Sequence, residues 1–355
     1  MIQTLSSGRM KADISAYVKP WVKDVPSLDA EQKVKGLVRL GSNENNSGPS
    51  FQAVRPMLDT ARFAYVYPHQ QGLVREKIAG ILEVGVGSVM IGGGCFDVLD
   101  AILKVFRGPV ASVYPTRREY EVCARALGEE YVRVNLKGDF TFPVEDFIAK
   151  SAGANVLILA NPNDPTGGVI PEDAIKRILD EGKITVVDES YYEFYGKTVL
   201  PLLPEYNNLI VVQTLSHAFA LAGLRLAYAV ADAEVAALLN KVKPPVNVTS
   251  LTLEAALGAL HDDEYMISKV KEIRRDREML HKGLSARFKP LKSHASFILV
   301  DVSPMTSKQF CERARYFGFD VRDIGRLDGF SGEYVRISVG TWEDVNKFVH
   351  VLDKI

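Results

Sequence analysis

The middle of the chain narrows its fold more than any other part. From residue 89 to 230, short apolar runs alternate with amphipathic stretches. The candidate strands are Val89–Ile91, Val110–Tyr114, Tyr131–Val134, Val156–Ala160, Ile184–Val187, Leu209–Val212 and Leu226–Val230. Several are rich in Val and Ile with little polar alternation, the pattern of strands covered on both faces. Helical patterns lie between them. In Asp97–Phe106, for instance, Val98, Leu99, Ile102, Leu103 and Phe106 share one helical face. Strands alternating with helices predict an α/β fold, with a mainly parallel sheet and helices on both sides, over residues 51–245.

After Val230 the texture changes. Asp232–Val242 reads as a helix that Lys243-Pro244-Pro245 breaks. His261–Phe288 reads as one long charged helix with an apolar stripe at Ile267, Val270, Ile273, Leu280 and Leu284. Glu272, Asp276 and Glu278 interrupt its basic residues, so it reads as a solvated face and not as a nucleic-acid site. A strand (Ser296–Val302), a helix (Ser307–Phe317) and a last strand (Tyr334–Val339) follow. Residues 246–355 are therefore expected to form a smaller α+β unit. Residues 1–50, with no sheet of their own, are expected to pack on it.

The 355 residues carry 43 basic and 44 acidic side chains, a formal net charge of -1. That balance supplies no field for nucleic acid or an anionic membrane. Cys95, Cys123 and Cys311 are too few and too far apart for a disulfide framework or a zinc site, which points to a reducing cytoplasm and no metal. No hydrophobic signal core stands at the N-terminus, and no apolar run approaches the ~20 residues that span a bilayer.

Four segments at expected strand ends make sense as one pocket. Ile91-Gly92-Gly93-Gly94-Cys95-Phe96 joins a strand to a helix, where glycines let backbone N–H groups approach an anion. Asn161-Pro162-Asn163-Asp164-Pro165-Thr166-Gly167 alone reads as a plain Pro/Gly loop. Asp188 of Val187-Asp188-Glu189-Ser190-Tyr191 is either a loop cap or a carboxylate that keeps a pyridine nitrogen protonated. Ser216 and Arg225, in Thr214-Leu215-Ser216-His217-Ala218-Phe219-Ala220-Leu221-Ala222-Gly223-Leu224-Arg225, suit a phosphate monoester. Open α/β sheets bind ligands at such carboxyl ends.

The order of these motifs resembles the fold-type-I pyridoxal 5'-phosphate (PLP) aminotransferases of class I/II, in their histidinol-phosphate aminotransferase-like branch. The stretches Leu40–Ser50, Tyr67-Pro68, Lys243–Ser250, Arg322-Asp323 and Tyr334–Thr341 extend the resemblance over almost the whole chain. It implies a seven-stranded, mainly parallel large domain with a smaller α+β domain, and a homodimer with active sites at the subunit interface. By resemblance, Asp188 contacts the pyridine nitrogen and Tyr191 the ring hydroxyl, while Gly94, Cys95, Phe96, Thr214, Ser216 and Arg225 surround the phosphate together with Tyr67 of the partner subunit. Asn43, Arg322 and Arg336 fall on the substrate side. The substrate class so implied is a small amine, keto or phosphorylated compound, in amino-acid metabolism such as histidine biosynthesis.

The chain departs from the family at four positions. His217 stands where the family has its Schiff-base lysine, and a ring nitrogen forms no stable imine. With a reference pKa of ~6.5, histidine can still move a proton. Asp164 replaces the asparagine that hydrogen-bonds the ring hydroxyl, and it could pair with Arg336 in competition with an anionic substrate. Arg117 replaces the aromatic that stacks on the ring; a guanidinium there could stack or bind a second anion. Ser296 stands where asparagine is usual. Three changes around one cofactor read as natural divergence more readily than as a single-residue trap. The expectation is an aminotransferase-like protein holding PLP or pyridoxamine 5'-phosphate non-covalently. The alternatives are an enzyme using the amine form with His217 as base, and a non-catalytic binder of phosphate ligands.

Overall fold

In the computed structural model, which describes residues 14–27 and 36–355, the chain builds two sheets. In chain order the strands are β1 (Val38–Leu40), β2 (Val89–Gly92), β3 (Val110–Tyr114), β4 (Tyr131–Asn135), β5 (Val156–Ala160), β6 (Ile184–Asp188), β7 (Leu209–Thr214), β8 (Ala227–Ala231), β9 (Lys289–Pro290), β10 (Phe297–Asp301), β11 (Phe319–Gly325) and β12 (Tyr334–Ser338). The larger sheet has seven strands in the order β2-β8-β7-β6-β5-β3-β4. All run one way except β8, which is antiparallel to both of its neighbours.

The Val- and Ile-rich composition follows from burial on two faces. Val89, Ile91, Val113, Leu157, Leu159, Val187 and Val211 point into one core. Their alternates Met90, Val110, Val156, Ile158, Val186, Ile210 and Val212 point into another on the opposite face. Period-two alternation is thus present, but both sets are apolar.

The smaller sheet has the order β1-β11-β12-β10-β9, with β1 parallel to β11 and the other pairs antiparallel. Its core takes in Tyr191 and Ala218 from loops of the larger sheet, which ties the two units together beside the strand ends.

Two regions differ from the sequence reading. The long helix expected over His261–Phe288 is present as Asp263–Ser285, but an unexpected helix, Ser250–His261, precedes it. Asp262 leaves helical geometry between them, and Asp263 and Glu264 then place negative charge in the first turn of the second helix. The N-terminal segment does not pack on the small unit alone. Residues 38–40 enter the small sheet, but the short helix Pro20–Asp24 sits on the larger unit, where Trp21 donates to the Ala126 carbonyl at 3.3 Å. The rest of residues 1–50, namely 1–13 and 28–35, lies outside the described residues. Among the described residues no helix is long and apolar enough to cross a membrane.

The Ser250–His261 helix crosses the Phe51–Ala61 helix at very short range. A Cβ on Gly258 would stand 1.8 Å from the Gln52 carbonyl oxygen. Backbone on both sides cannot give that far without parting the helices. Gly258→Ala is expected to cost about 1–3 kcal/mol, read as a lower urea midpoint at unchanged m value. An unchanged midpoint would show that the two helices separate freely.

Candidate active site

Strand register assembles the site at one sheet edge. Ala227 at the start of β8 pairs with Gly92 at the end of β2 and with Thr214 at the end of β7. Asp188 ends β6 and pairs with Val212 of β7 and Ala160 of β5. The segments after Gly92, Ala160, Asp188 and Thr214 therefore leave the sheet together. Because β8 runs the other way, Arg225, two residues before Ala227, arrives at the same edge.

Gly94, Cys95, Thr214, Ser216 and Arg225 come together at this edge. Gly94 has φ +103, and a Cβ there would stand 2.5 Å from Arg225 Nη2, so only glycine lets the guanidinium lie against this turn. The Cys95–Val105 helix starts at this point with its first N–H groups unpaired by the helix itself. Thr214 Oγ1 and Ser216 Oγ are 2.9 Å apart, and Cys95 Sγ is 3.3 Å from Ser190 Oγ. Arg225 donates to the Ala222 carbonyl at 3.1 Å, and no carboxylate among the described residues pairs with it. Phe96 is 42% exposed and stands on the outer side of the helix.

Asp188 is buried, and both of its oxygens are taken. Oδ1 accepts from the Ser190 hydroxyl at 2.5 Å and the Ser190 N–H at 3.0 Å. Oδ2 accepts from the Tyr120 hydroxyl at 2.7 Å and from Arg117 Nη1 at 3.2 Å. Arg117 thus neither stacks on open space nor offers a free anion site; it is the counter-ion of Asp188, with Glu119 at 3.5 Å on its other side. Tyr120 went unforeseen. Its signal was present in its position three residues after Arg117, on the face of the helix that begins at Arg118. Behind Asp188, buried Glu189 accepts from Thr198 Oγ1, the Val199 N–H and Gln213 Nε2, and burial pushes its carboxyl up to about 7.

A second ion pair closes the inner end. Asp164, from the loop after β5, pairs through Oδ1 with Nη1 of Arg336 on β12, so the contact runs from one sheet to the other. Asp164 Oδ2 accepts from Asn43 Nδ2 at 3.1 Å and from the Tyr191 hydroxyl at 3.0 Å. Burial would raise this carboxyl, but the Arg336 and Arg117 charges outweigh it and hold it below the usual aspartate range. Arg336 Nη2 donates to the Gly41 carbonyl at 2.8 Å, whereas Arg336 Nε and Ser296 Oγ are buried without partners. Arg322 on β11 lies opposite Arg336 in the ladder.

His217 sits between the two pairs. Its ring stacks on Tyr191, with centroids 4.4 Å apart and planes at 25°. Nδ1 is 2.9 Å from the Asn43 carbonyl. A carbonyl only accepts, so Nδ1 carries the proton and Nε2 is left with its lone pair. Burial pushes the imidazole down to about 4; the Asn43 carbonyl opposes this and the Arg117 charge adds to it. Histidine at its ordinary pKa was expected here; the site instead keeps it neutral. Tyr67 is not brought to the others within one chain. It is 84% exposed, between the Phe51–Ala61 and Gln71–Leu82 helices. Among the described residues no His, Cys, Asp and Glu cluster is arranged to hold a metal.

Residues 35–352 match the family model described as aminotransferase class I and II. The chain is 32% identical over 364 residues to the histidinol-phosphate aminotransferase of Methanocaldococcus jannaschii, covering 97% of this chain and 96% of that one. The histidinol-phosphate aminotransferase of Sinorhizobium meliloti, solved in complex with pyridoxal-5'-phosphate, shares the fold with a TM-score of 0.85 at 21% identity, covering 95% of this chain and 96% of that one. The L-threonine-O-3-phosphate decarboxylase of Porphyromonas gingivalis shares it with a TM-score of 0.80 at 21% identity, covering 90% and 99%.

The state of His217 can be read from stability. The imidazole titrates at ~6.5 in the unfolded chain and at about 4 in the folded one. Between these values the unfolded chain binds more protons. The stabilising contribution is therefore complete above the unfolded pKa and is lost as pH falls through the folded one. Denaturant melts from pH 7.5 down to pH 4.5 should show the wild type losing about 1–3 kcal/mol relative to His217→Gln, which does not titrate. A difference that stays flat with pH would mean an imidazole titrating near its ordinary value.

Proposed function

Because this chain belongs to the class I and II aminotransferase family, we propose that it is an aminotransferase-like protein that holds pyridoxal or pyridoxamine 5'-phosphate by the phosphate alone, without a covalent bond to position 217. One observation carries the reading: Arg225 lies against Gly94 at a helix N-terminus with no carboxylate among the described residues to neutralise it. A cation, helix N–H groups and the Ser216 and Thr214 hydroxyls together form a cup suited to a phosphate monoester.

The residues fit the phosphate end of the group and, as they stand, not its ring. A protonated pyridine nitrogen needs a free carboxylate oxygen, and Asp188 already accepts four hydrogen bonds. Pyridoxal phosphate, when bound, supplies an electron sink; that property depends on a charge which Arg117 here holds instead. What the chain itself offers is an acceptor nitrogen, His217 Nε2, uncharged at neutral pH and held in one orientation by Asn43 and Tyr191. A second reading, a phosphate-ester binder without amino transfer, draws its support from the full set of partners on Asp188.

We assign the site to the boundary between two copies of the chain, with Tyr67 of the partner subunit completing the cup. Exposed Phe51, Leu58, Phe63, Val66 and Tyr67 lie close together in sequence and support an apolar contact surface there. The substrate is then a small amine, carbonyl or phosphorylated compound, and the place of action the cytoplasm.

Three measurements test the assignment. In a spectral titration with pyridoxal phosphate, Arg225→Ala should weaken binding by at least about thirtyfold, in line with a lost charge-assisted contact, and His217→Ala by only a few-fold. Comparable losses would sink the cup. Borohydride treatment of the loaded wild type should leave no pyridoxyl group on the chain; a labelled lysine elsewhere would mean a substitute anchor. Sedimentation should give a dimer, and a stable monomer that still binds the cofactor would remove Tyr67 from the site.

A further inference from the structure

The inner end of the pocket carries its own carboxylate. Resting on the reading of the cup given above, we infer that Asp164 is a specificity-determining residue: it occupies Arg336 from within, so that the site takes an amine or carbonyl compound lacking a carboxylate and turns carboxylates away.

Three features carry this. Both Asp164 oxygens are filled, one by Arg336 and the other by Asn43 and Tyr191, so the aspartate is built in and not a side chain swinging at the surface. The fork of Arg336 is used up, since Nη1 goes to Asp164 and Nη2 to the Gly41 carbonyl. Of its nitrogens only Nε has no partner, and a two-point grip there would have to draw as well on a terminal nitrogen already committed to Asp164 or the Gly41 carbonyl. An incoming carboxylate would therefore have to expel Asp164, which would leave a buried charge unpaired beside a second anion. A neutral carbonyl or hydroxyl meets no such penalty, because it brings no second charge and can accept from Arg336 Nε, a buried donor without a partner.

The test uses a probe without phosphate, so that it stands apart from the cup. Full-length protein saturated with pyridoxamine phosphate is titrated with succinate and followed by thermal melting and calorimetry. The wild type should give no saturable binding up to tens of millimolar. Asp164→Asn, which frees Arg336 at nearly constant volume, should bind succinate at least tenfold more tightly. Asp164→Glu, which keeps the charge, should behave like the wild type. Saturable succinate binding by the wild type within threefold of Asp164→Asn overturns the inference. Should Asp164→Asn fail to fold, the wild-type arm still decides: millimolar succinate affinity refutes the internal carboxylate, and refusal of succinate together with uptake of an amino alcohol without a carboxylate supports it. If pyridoxamine phosphate fails to bind, the cup is wrong, and the succinate comparison on the protein as purified still reads Asp164.

Discussion

Asn43 is the point from which the site hangs together. Its backbone N–H donates to Ser338 Oγ at 2.8 Å, and Ser338 returns a bond to Asn43 Oδ1 at 3.0 Å, which fixes it to the last strand of the small sheet. Its side-chain amide reaches Asp164 and the Tyr191 hydroxyl, and its carbonyl receives the His217 ring, all on loops of the larger sheet. One residue thus satisfies groups from both units, and it does so with φ 56, a left-handed conformation that asparagine tolerates better than most side chains. A buried polar network is stabilising only when each member is satisfied. Here the orientation of His217, the position of Asp164 and the approach of the small sheet all depend on that one backbone geometry.

The fold was legible because its signals are local and repeated. Apolar runs of strand length, separated by helical patterns, define a sheet covered on both faces, and glycine- and proline-rich turns mark where the strands end. The elements that escaped were those whose character is set by partners elsewhere. β11 is a polar strand, Phe-Asp-Val-Arg-Asp-Ile-Gly, held by the pairing of β1 and β12 on either side. The Ser250–His261 helix was missed because its pattern is apolar nearly all round, as befits a helix pressed against Phe51–Ala61.

The site divides along the same line. Which residues gather at the sheet edge could be read from motif order, since strand ends dictate it. How they pair was legible only in part: the pairing of Asp164 with Arg336 was open on sequence grounds and is formed, whereas that of Arg117 depends on a side chain from another strand end meeting it in space. Arg117 was open to two roles on sequence grounds: stacking on the ring or binding a second anion. Its actual partner, Asp188, is 71 residues away. The same holds for the pKa of His217, which composition leaves at its reference value and which only burial beside Arg117 brings down.

The three unusual residues form one electrostatic set. Arg117 satisfies the carboxylate of Asp188, Asp164 satisfies the guanidinium of Arg336, and His217 stands between the pairs without charge. Each makes sense given the other two. A lysine placed alone at 217 would bring an ammonium into a pocket whose two aspartates are already paired and whose nearest cation is Arg117. Desolvation and like-charge repulsion would both drive that lysine toward its neutral form. An arginine at 117 without Asp188 would be a buried, unpaired cation, and Asp164 without Arg336 an unpaired anion, each costing several kcal/mol. Both aspartates of the site are therefore neutralised from within, whereas Arg225 has no carboxylate partner among the described residues. It is on that cation that the proposed hold on a ligand's phosphate rests.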